Sequence, residues 1–204
     1  MGLTAVPVDQ VATIVTTLEM RARPPLRPMP ASPFRLVRWD RPASDRYRAL
    51  FRRIGARWLW FSRLVMAEPA LRMILDDPRV AVFAAVDRAG VEIGMLELDF
   101  REPGVCELSY VGLVPELAGK GHGDWLMGEA LARAWTKGIT RVWVHTCTLD
   151  HPAALGFYRR HGFVAIARTV ETFADPRVTG ILPADAAPQI PLLVQPARSS
   201  ATAT

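Results

Sequence analysis

Only two of the 204 residues are cysteine, Cys106 and Cys147, and only two of the 25 basic residues are lysine. The cysteines form no Cys-x-x-Cys pair. The four histidines (His122, His145, His151 and His161) include no His-Glu-x-x-His. The common zinc motifs are thereby excluded, and no metal is expected. So few thiols in a chain of this length fit reduced usage better than a disulfide scaffold. The N-terminus lacks a basic start followed by an apolar run, so it does not read as a secretory leader. Val6 stands where a myristoylation signal needs Ser or Thr. No uncharged apolar stretch approaches the ~20 residues that span a bilayer. The expectation is a soluble, cytoplasmic protein with no membrane attachment.

Apolar residues and arginine are plentiful. Half of the chain is apolar, enough for a sizeable core in one domain, which excludes a disordered polymer. The net charge is +5, and all of the excess lies in residues 21–79, where 14 arginines face five acids. Such a block suggests a phosphate, a nucleic acid or an acidic small molecule. On the helix that follows Pro42, however, Arg46, Arg53 and Arg57 project one way and Arg48, Arg52 and Arg63 another. A continuous basic ridge is missing, so no nucleic-acid partner is expected.

Along the chain, Val11–Met20 is rich in β-branched residues and reads as a strand. Residues 21–33 hold five prolines and read as an extended connector. Phe34–Trp39 reads as a strand. A helix then starts with Ser44 as N-cap and Asp45 in its first turn. Its apolar face runs through Tyr47, Leu50, Phe51, Ile54, Trp58, Phe61 and Val65, and Gly55 is a point where it can break. A short helix spans Pro69–Leu75. Val80–Val86 and Val91–Phe100 form a hairpin, Val105–Val114 a further strand, and Asp124–Lys137 a helix. Arg141–Thr146, Pro152–His161 and Phe163–Phe173 complete a strand, helix, strand series. In the tail, Ile190–Val194 is a candidate last strand, and residues 196–204 read as disordered. The pattern is α/β (α+β): a mixed sheet flanked by helices, antiparallel at first, with one late parallel crossover. Val11–Met20 is an extra N-terminal strand, placed at an edge. The expected division is a strand and connector at 1–33, one domain at 34–175 and a tail at 176–204.

Two segments carry chemistry. In Leu113-Val114-Pro115-Glu116-Leu117-Ala118-Gly119-Lys120-Gly121-His122-Gly123 a strand ends, proline turns the chain, and alternating glycines lead into a helix. Glycines there let backbone N–H groups converge at a helix N-terminus, a setting that suits a phosphate or pyrophosphate. Lys120 adds a full charge. The spacing fits neither the P-loop nor the Rossmann fingerprint. The second segment, Asp150–Phe163, follows the next strand and carries Tyr158 on a short helix closed by His161-Gly162-Phe163.

In this order, about 35 residues apart, the two segments resemble the GNAT superfamily of acyl-CoA-dependent N-acetyltransferases. That family's Arg/Gln-x-x-Gly-x-Gly/Ala motif falls on Ala118, Gly119, Lys120, Gly121, His122 and Gly123. Its Asn…Ala…Tyr…Gly-Phe helix falls on Asp150 or His151, then Ala154, Tyr158, Gly162 and Phe163. Ala118 departs from the usual Arg or Gln. The resemblance covers residues 80–173 and implies a single-domain GNAT-like fold that binds acetyl-CoA, with a primary amine of a small molecule or amino acid attacking the thioester. Leu113 and Val114 are placed to polarise the acetyl carbonyl, and Tyr158 to protonate the leaving thiolate. Glu107 is the favoured base and Glu97 the second choice, either of them acting directly or through a water. His145 and His151 are further candidates for proton transfer, and Cys147 offers an acyl-cysteine route. Trp60 and Arg57 lie where the family binds its acceptor, which with the arginines suggests an acceptor bearing a carboxylate or phosphate. Trp58 is assigned to the core. A non-catalytic acyl-CoA sensor is the main alternative, followed by a protein-lysine or N-terminal acetyltransferase and a basic nucleic-acid-binding protein using residues 21–63, and a homodimer is compatible with the sequence.

Overall fold

A computed structural model describes residues 2–25 and 28–193. Seven strands form one sheet: β1 (Gln10–Met20), β2 (Arg35–Trp39), β3 (Val80–Val86), β4 (Glu92–Asp99), β5 (Val105–Leu113), β6 (Arg141–Cys147) and β7 (Val164–Ala174). Their spatial order is β2-β3-β4-β5-β6-β1-β7, and every pair is antiparallel except β5–β6. The strand expected at an edge is therefore interior. β1 lies between β6 and β7, with Val15 opposite Cys147 on one side and Thr169 on the other. β7 takes the edge and is exposed along its length. A pairing across the whole chain was invisible to a local reading of β1.

The two sheet faces divide the helices. α1 (Ser44–Gly55) covers the face that carries Glu97, which accepts a hydrogen bond from its Tyr47. α2 (Ser62–Val65) and α3 (Glu68–Leu75) follow on that side. α4 (His122–Ala134) covers the opposite face, where its Arg133 lies over the Phe83 ring of β3, and α5 (Ala154–Arg160) leads into β7. β3 is buried along its entire length, as its run of Val, Ala and Phe implies for a strand covered on both faces.

Three local readings are corrected. Ser44 does not cap α1; its hydroxyl donates to Glu68 of α3 at 2.5 Å, which ties the two helices together. The long helix ends at Gly55, passes through a 3₁₀ turn at Ala56–Trp58 and reverses at Leu59 in a left-handed conformation (φ 55°). Periodicity could not reveal that 3₁₀ turn and reversal, which together take the chain after Gly55 off the helical stripe. Ile190–Leu193 is not a strand; Val194 and residues 196–204 lie outside the described residues. The chain after β7 is instead pinned by a buried pair, Arg177 to Asp175 at 2.7 Å, with the Arg177 guanidinium also donating to the Ile190 carbonyl.

Candidate active site

β5 and β6 stay paired over only three residues, the last pair being Glu107 with Trp143. A bulge at Ser109, between the pairs Leu98–Leu108 and Glu97–Tyr110, turns β5 further from its neighbour. A gap opens above Glu107, and the unpaired edge of β5 faces into it. Val114 cannot serve there, because its N–H donates to the Ile93 carbonyl at 2.9 Å and its side chain is buried. Alternation along an antiparallel ladder then turns the N–H groups of Leu113 and Val111 toward the gap. The Leu113 N–H thus faces the gap, and so does that of Val111, which the sequence reading did not name.

After Val114 a 3₁₀ turn at Pro115–Leu117 leads to the glycines. Gly119 and Gly121 adopt positive φ (73° and 81°), which L side chains rarely adopt. Among the described residues no carbonyl accepts the N–H groups of Gly119, Gly121, His122 or Gly123. Four unclaimed donors thus stand before a 13-residue helix, a fitting cradle for a phosphate or pyrophosphate. Lys120 is exposed and the His122 ring packs edge-on against Phe34, so neither side chain faces the cleft.

The carboxylates of β4 and β5 separate into different roles. Glu97 is fully buried, accepting from Tyr47 at 2.5 Å and from Arg63 at 2.6 Å. It is a structural anion and does not reach the cleft. Asp99 is held by Arg101 at 2.5 Å. Glu107 has no such partner. Burial first, and then the charge of Asp99 opposite it, push its carboxyl up to about 7. His145, half exposed on β6, places Nδ1 3.9 Å from the Glu107 carboxylate.

The helix layer supplies the opposite wall. Trp60 packs so close to Gly55 that a Cβ there would sit 2.4 Å from it, and its indole N–H donates to Asp150 at 3.1 Å. Asp150 also accepts from the Thr146 hydroxyl at 2.7 Å and the Cys147 N–H at 2.9 Å. Its carboxylate fixes the link from β6 to α5 and is largely spent on that task. Trp58, expected in the core, faces the cleft edge-on to His151, whose Nδ1 accepts from the Ala153 N–H. Arg57 is exposed and does not line the cleft, against expectation. Tyr158 does line it, and its hydroxyl has no partner among the described residues. Burial, then the nearby Asp150 charge, raise its pKa well above that of an ordinary tyrosine. Burial and Asp150 also push the Cys147 thiol up, which disfavours a nucleophilic thiolate.

The residues that face the cleft border one cavity of about 810 Å³. It runs from Ala118, Gly119, Gly121 and Gly123, past Leu113 and Tyr158, to Glu107. A family model for GNAT acetyltransferases matches residues 38–163. The chain belongs to the GNAT acetyltransferase family. Solved structures agree on the fold. A GCN5-related N-acetyltransferase from Sphaerobacter thermophilus aligns at 16% identity and a TM-score of 0.56, over 79% of this chain and 51% of its own. This GNAT protein thus spans about half the length of that relative. An aminoglycoside acetyltransferase from an uncultured soil metagenomic sample aligns at 18% identity and a TM-score of 0.52, covering 64% and 88% of the two chains. A spermidine N-acetyltransferase of Vibrio cholerae aligns at 17% and 0.50, covering 73% and 98%. No curated protein matches in sequence. Among the described residues no three His, Cys, Asp or Glu side chains cluster as metal ligands, and no helix is long and apolar enough to cross a membrane.

Proposed function

We propose that the protein transfers an acetyl group from acetyl-CoA to a primary amine of a small molecule by direct attack. The observation that carries this reading is the continuity of the cavity, which joins the free N–H donors of Gly119, Gly121 and Gly123 to a partly protonated carboxyl with no arginine partner through the gap between β5 and β6. The pyrophosphate lies on the N–H groups of the glycine turn, so the neutral Ala118 in place of Arg or Gln does not remove the main donors. In the gap the Val111 and Leu113 N–H groups polarise the acetyl carbonyl. Glu107, directly or through a water, takes the proton of the attacking ammonium. As the new C–N bond forms and the C–S bond breaks, Tyr158 gives its proton to the leaving sulfur; its raised pKa keeps that proton in place at neutral pH.

Thiol release from acetyl-CoA over a panel of amines tests the reading. Tyr158→Phe leaves coenzyme A affinity unchanged by calorimetry while kcat falls about 10- to 100-fold. An undiminished kcat removes Tyr158 from the role. Gly121→Val tests the glycine turn. No atom lies within 4 Å of a Cβ built there, so the substitution acts through backbone conformation alone. Holding valine at φ +81° costs about 1–3 kcal/mol. Coenzyme A affinity should fall by 10-fold or more, with the circular dichroism spectrum retained.

A further inference from the structure

Three arginines border the cavity: Arg63, Arg101 and Arg160. Arg63 is matched by Glu97, and Arg101 by Asp99. Arg160, the last residue of α5, is exposed and has no acid partner among the described residues. Its guanidinium lies over the Phe157 ring, 5.8 Å from the centroid. The same ring packs against the glycine turn, since a Cβ built on Gly123 would stand 3.4 Å from it. One phenyl ring therefore separates the Arg160 charge from the N–H donors at the start of α4. Asp124, in the first turn of α4, also borders this end of the cavity. His161 Nε2 engages its carboxylate at 2.9 Å, so that acid does not hold Arg160.

The glycine turn offers a pyrophosphate N–H dipoles and no full charge. Ala118 has a methyl group where the family motif has Arg or Gln, and Lys120 does not border the cavity. The pyrophosphate of coenzyme A is dianionic at neutral pH, and a charged donor holds it more strongly than neutral donors do. Arginine suits the task because it keeps its charge and presents parallel N–H groups to phosphate oxygens. A Cβ on Gly156 would stand 3.8 Å from Nη1 of Arg160, so the side chain runs back along α5. Residues Ala153, Ala154 and Phe157 of that stretch border the same cavity.

We infer that Arg160 is the cation of the coenzyme pyrophosphate site and stands in for the side chain that Ala118 lacks. The inference rests on the acetyl-CoA reading. Two jobs are then divided within one site. The backbone of Gly119, Gly121 and Gly123 fixes where the pyrophosphate sits, and Arg160, from the far wall of the cavity, supplies its counter-charge.

Calorimetric binding of coenzyme A is the test. Arg160→Ala should weaken affinity about 3- to 10-fold, the range of one partly solvated, charge-assisted contact. Arg160→Gln keeps part of the stem over Phe157 without the charge and should lose as much. Adding Ala118→Arg to the Arg160→Ala protein should restore the affinity. The same substitution in wild type should gain less, because one pyrophosphate is then served twice. 3′-Dephospho-coenzyme A separates the phosphates, and the loss on Arg160→Ala should be the same for it as for coenzyme A. A loss that vanishes with the dephospho form assigns Arg160 to the ribose phosphate and overturns the inference. Wild-type affinity in either Arg160 variant also overturns it, as does an Ala118→Arg gain equal in both backgrounds. If the wild-type protein binds no coenzyme A, the acetyltransferase reading fails instead. Calorimetry with inorganic pyrophosphate then decides the role of Arg160, and equal affinities in wild type and Arg160→Ala overturn it.

Discussion

A Glu107→Gln variant is expected to lose about 10²- to 10⁴-fold in kcat/KM, the range for removing a general base. The wild-type pH profile should identify the same group. Glu107 accepts a proton only when ionised, and its carboxyl titrates at about 7. Below that pH, kcat/KM falls about tenfold per unit; above it, the profile levels. The variant should lack this acidic limb. Stability moves the other way. The folded carboxyl titrates at about 7, above the ordinary value of 4.5 expected in the unfolded chain. Between these pH values the folded state therefore binds more protons than the unfolded one. The neutral carboxyl's full contribution is present below about 4.5 and is lost as pH rises through about 7. Glutamine carries no charge, so at pH 8 the variant should be more stable than wild type by roughly 1–2 kcal/mol, allowing for partial solvation of the site. Thermal melts at pH 5 and pH 8 check the sign. A gain equal at both pH values would mean that packing, and not ionisation, sets the difference.

Arg63→Met should cost about 3–5 kcal/mol of folding stability, read from urea unfolding. Arg63 is the cationic partner of Glu97, and the Glu97 side chain has no exposure at all. Removing the guanidinium leaves a buried carboxylate with Tyr47 as its one remaining donor. The attraction of an ion pair in such a place about balances the desolvation of its members, so the loss comes from stranding one of them. A triple replacement, Tyr47→Phe with Arg63→Met and Glu97→Leu, removes every polar member at once. It should recover most of the lost stability. Activity need not return with it, because Arg63 also lies over the Tyr110 ring at 5.1 Å and borders the cleft. A triple variant as unstable as the single one would show that the guanidinium acts by packing.

The comparison of sequence and structure is clearest in the carboxylates. Glu97 and Glu107 look equivalent in a strand pattern, since both sit in apolar β-strands near the glycine turn. The structure separates them by what lies across from each. Arg63, 34 positions before Glu97 in the chain, neutralises it, whereas nothing of the kind reaches Glu107. Partners brought by tertiary packing leave no local trace. Local conformation was more readable: β3, β4, α4, α5 and β7 lie within a few residues of where alternation, proline and glycine put them. The glycine turn was legible because its chemistry is backbone chemistry, encoded directly by residues that permit positive φ. The tryptophans were not. Trp58 and Trp60 flank a left-handed Leu59 that closes a 3₁₀ turn no apolar periodicity records, and both indoles line the cleft. Charge was the least reliable guide. Of the arginines that dominate the composition, Arg46, Arg48, Arg63 and Arg141 are matched by acids distant in sequence, and Arg57 stands outside the cleft.

The place of β1 has a consequence for how the chain reaches this form. Its hydrogen-bonding partners on both sides are among the last elements of the sheet to be made; the Thr13 hydroxyl, for example, meets that of Thr148, 135 positions away. During synthesis an 11-residue, β-branched strand must wait, unpaired, through the emergence of α1 to α4 and β2 to β5. Those middle elements can assemble from near neighbours, but the sheet closes only when the second half of the chain returns to the first strand. Such distant pairing slows folding and lengthens the exposure of an unpaired edge. The five prolines that follow β1 disfavour its premature pairing with β2 and so keep it available.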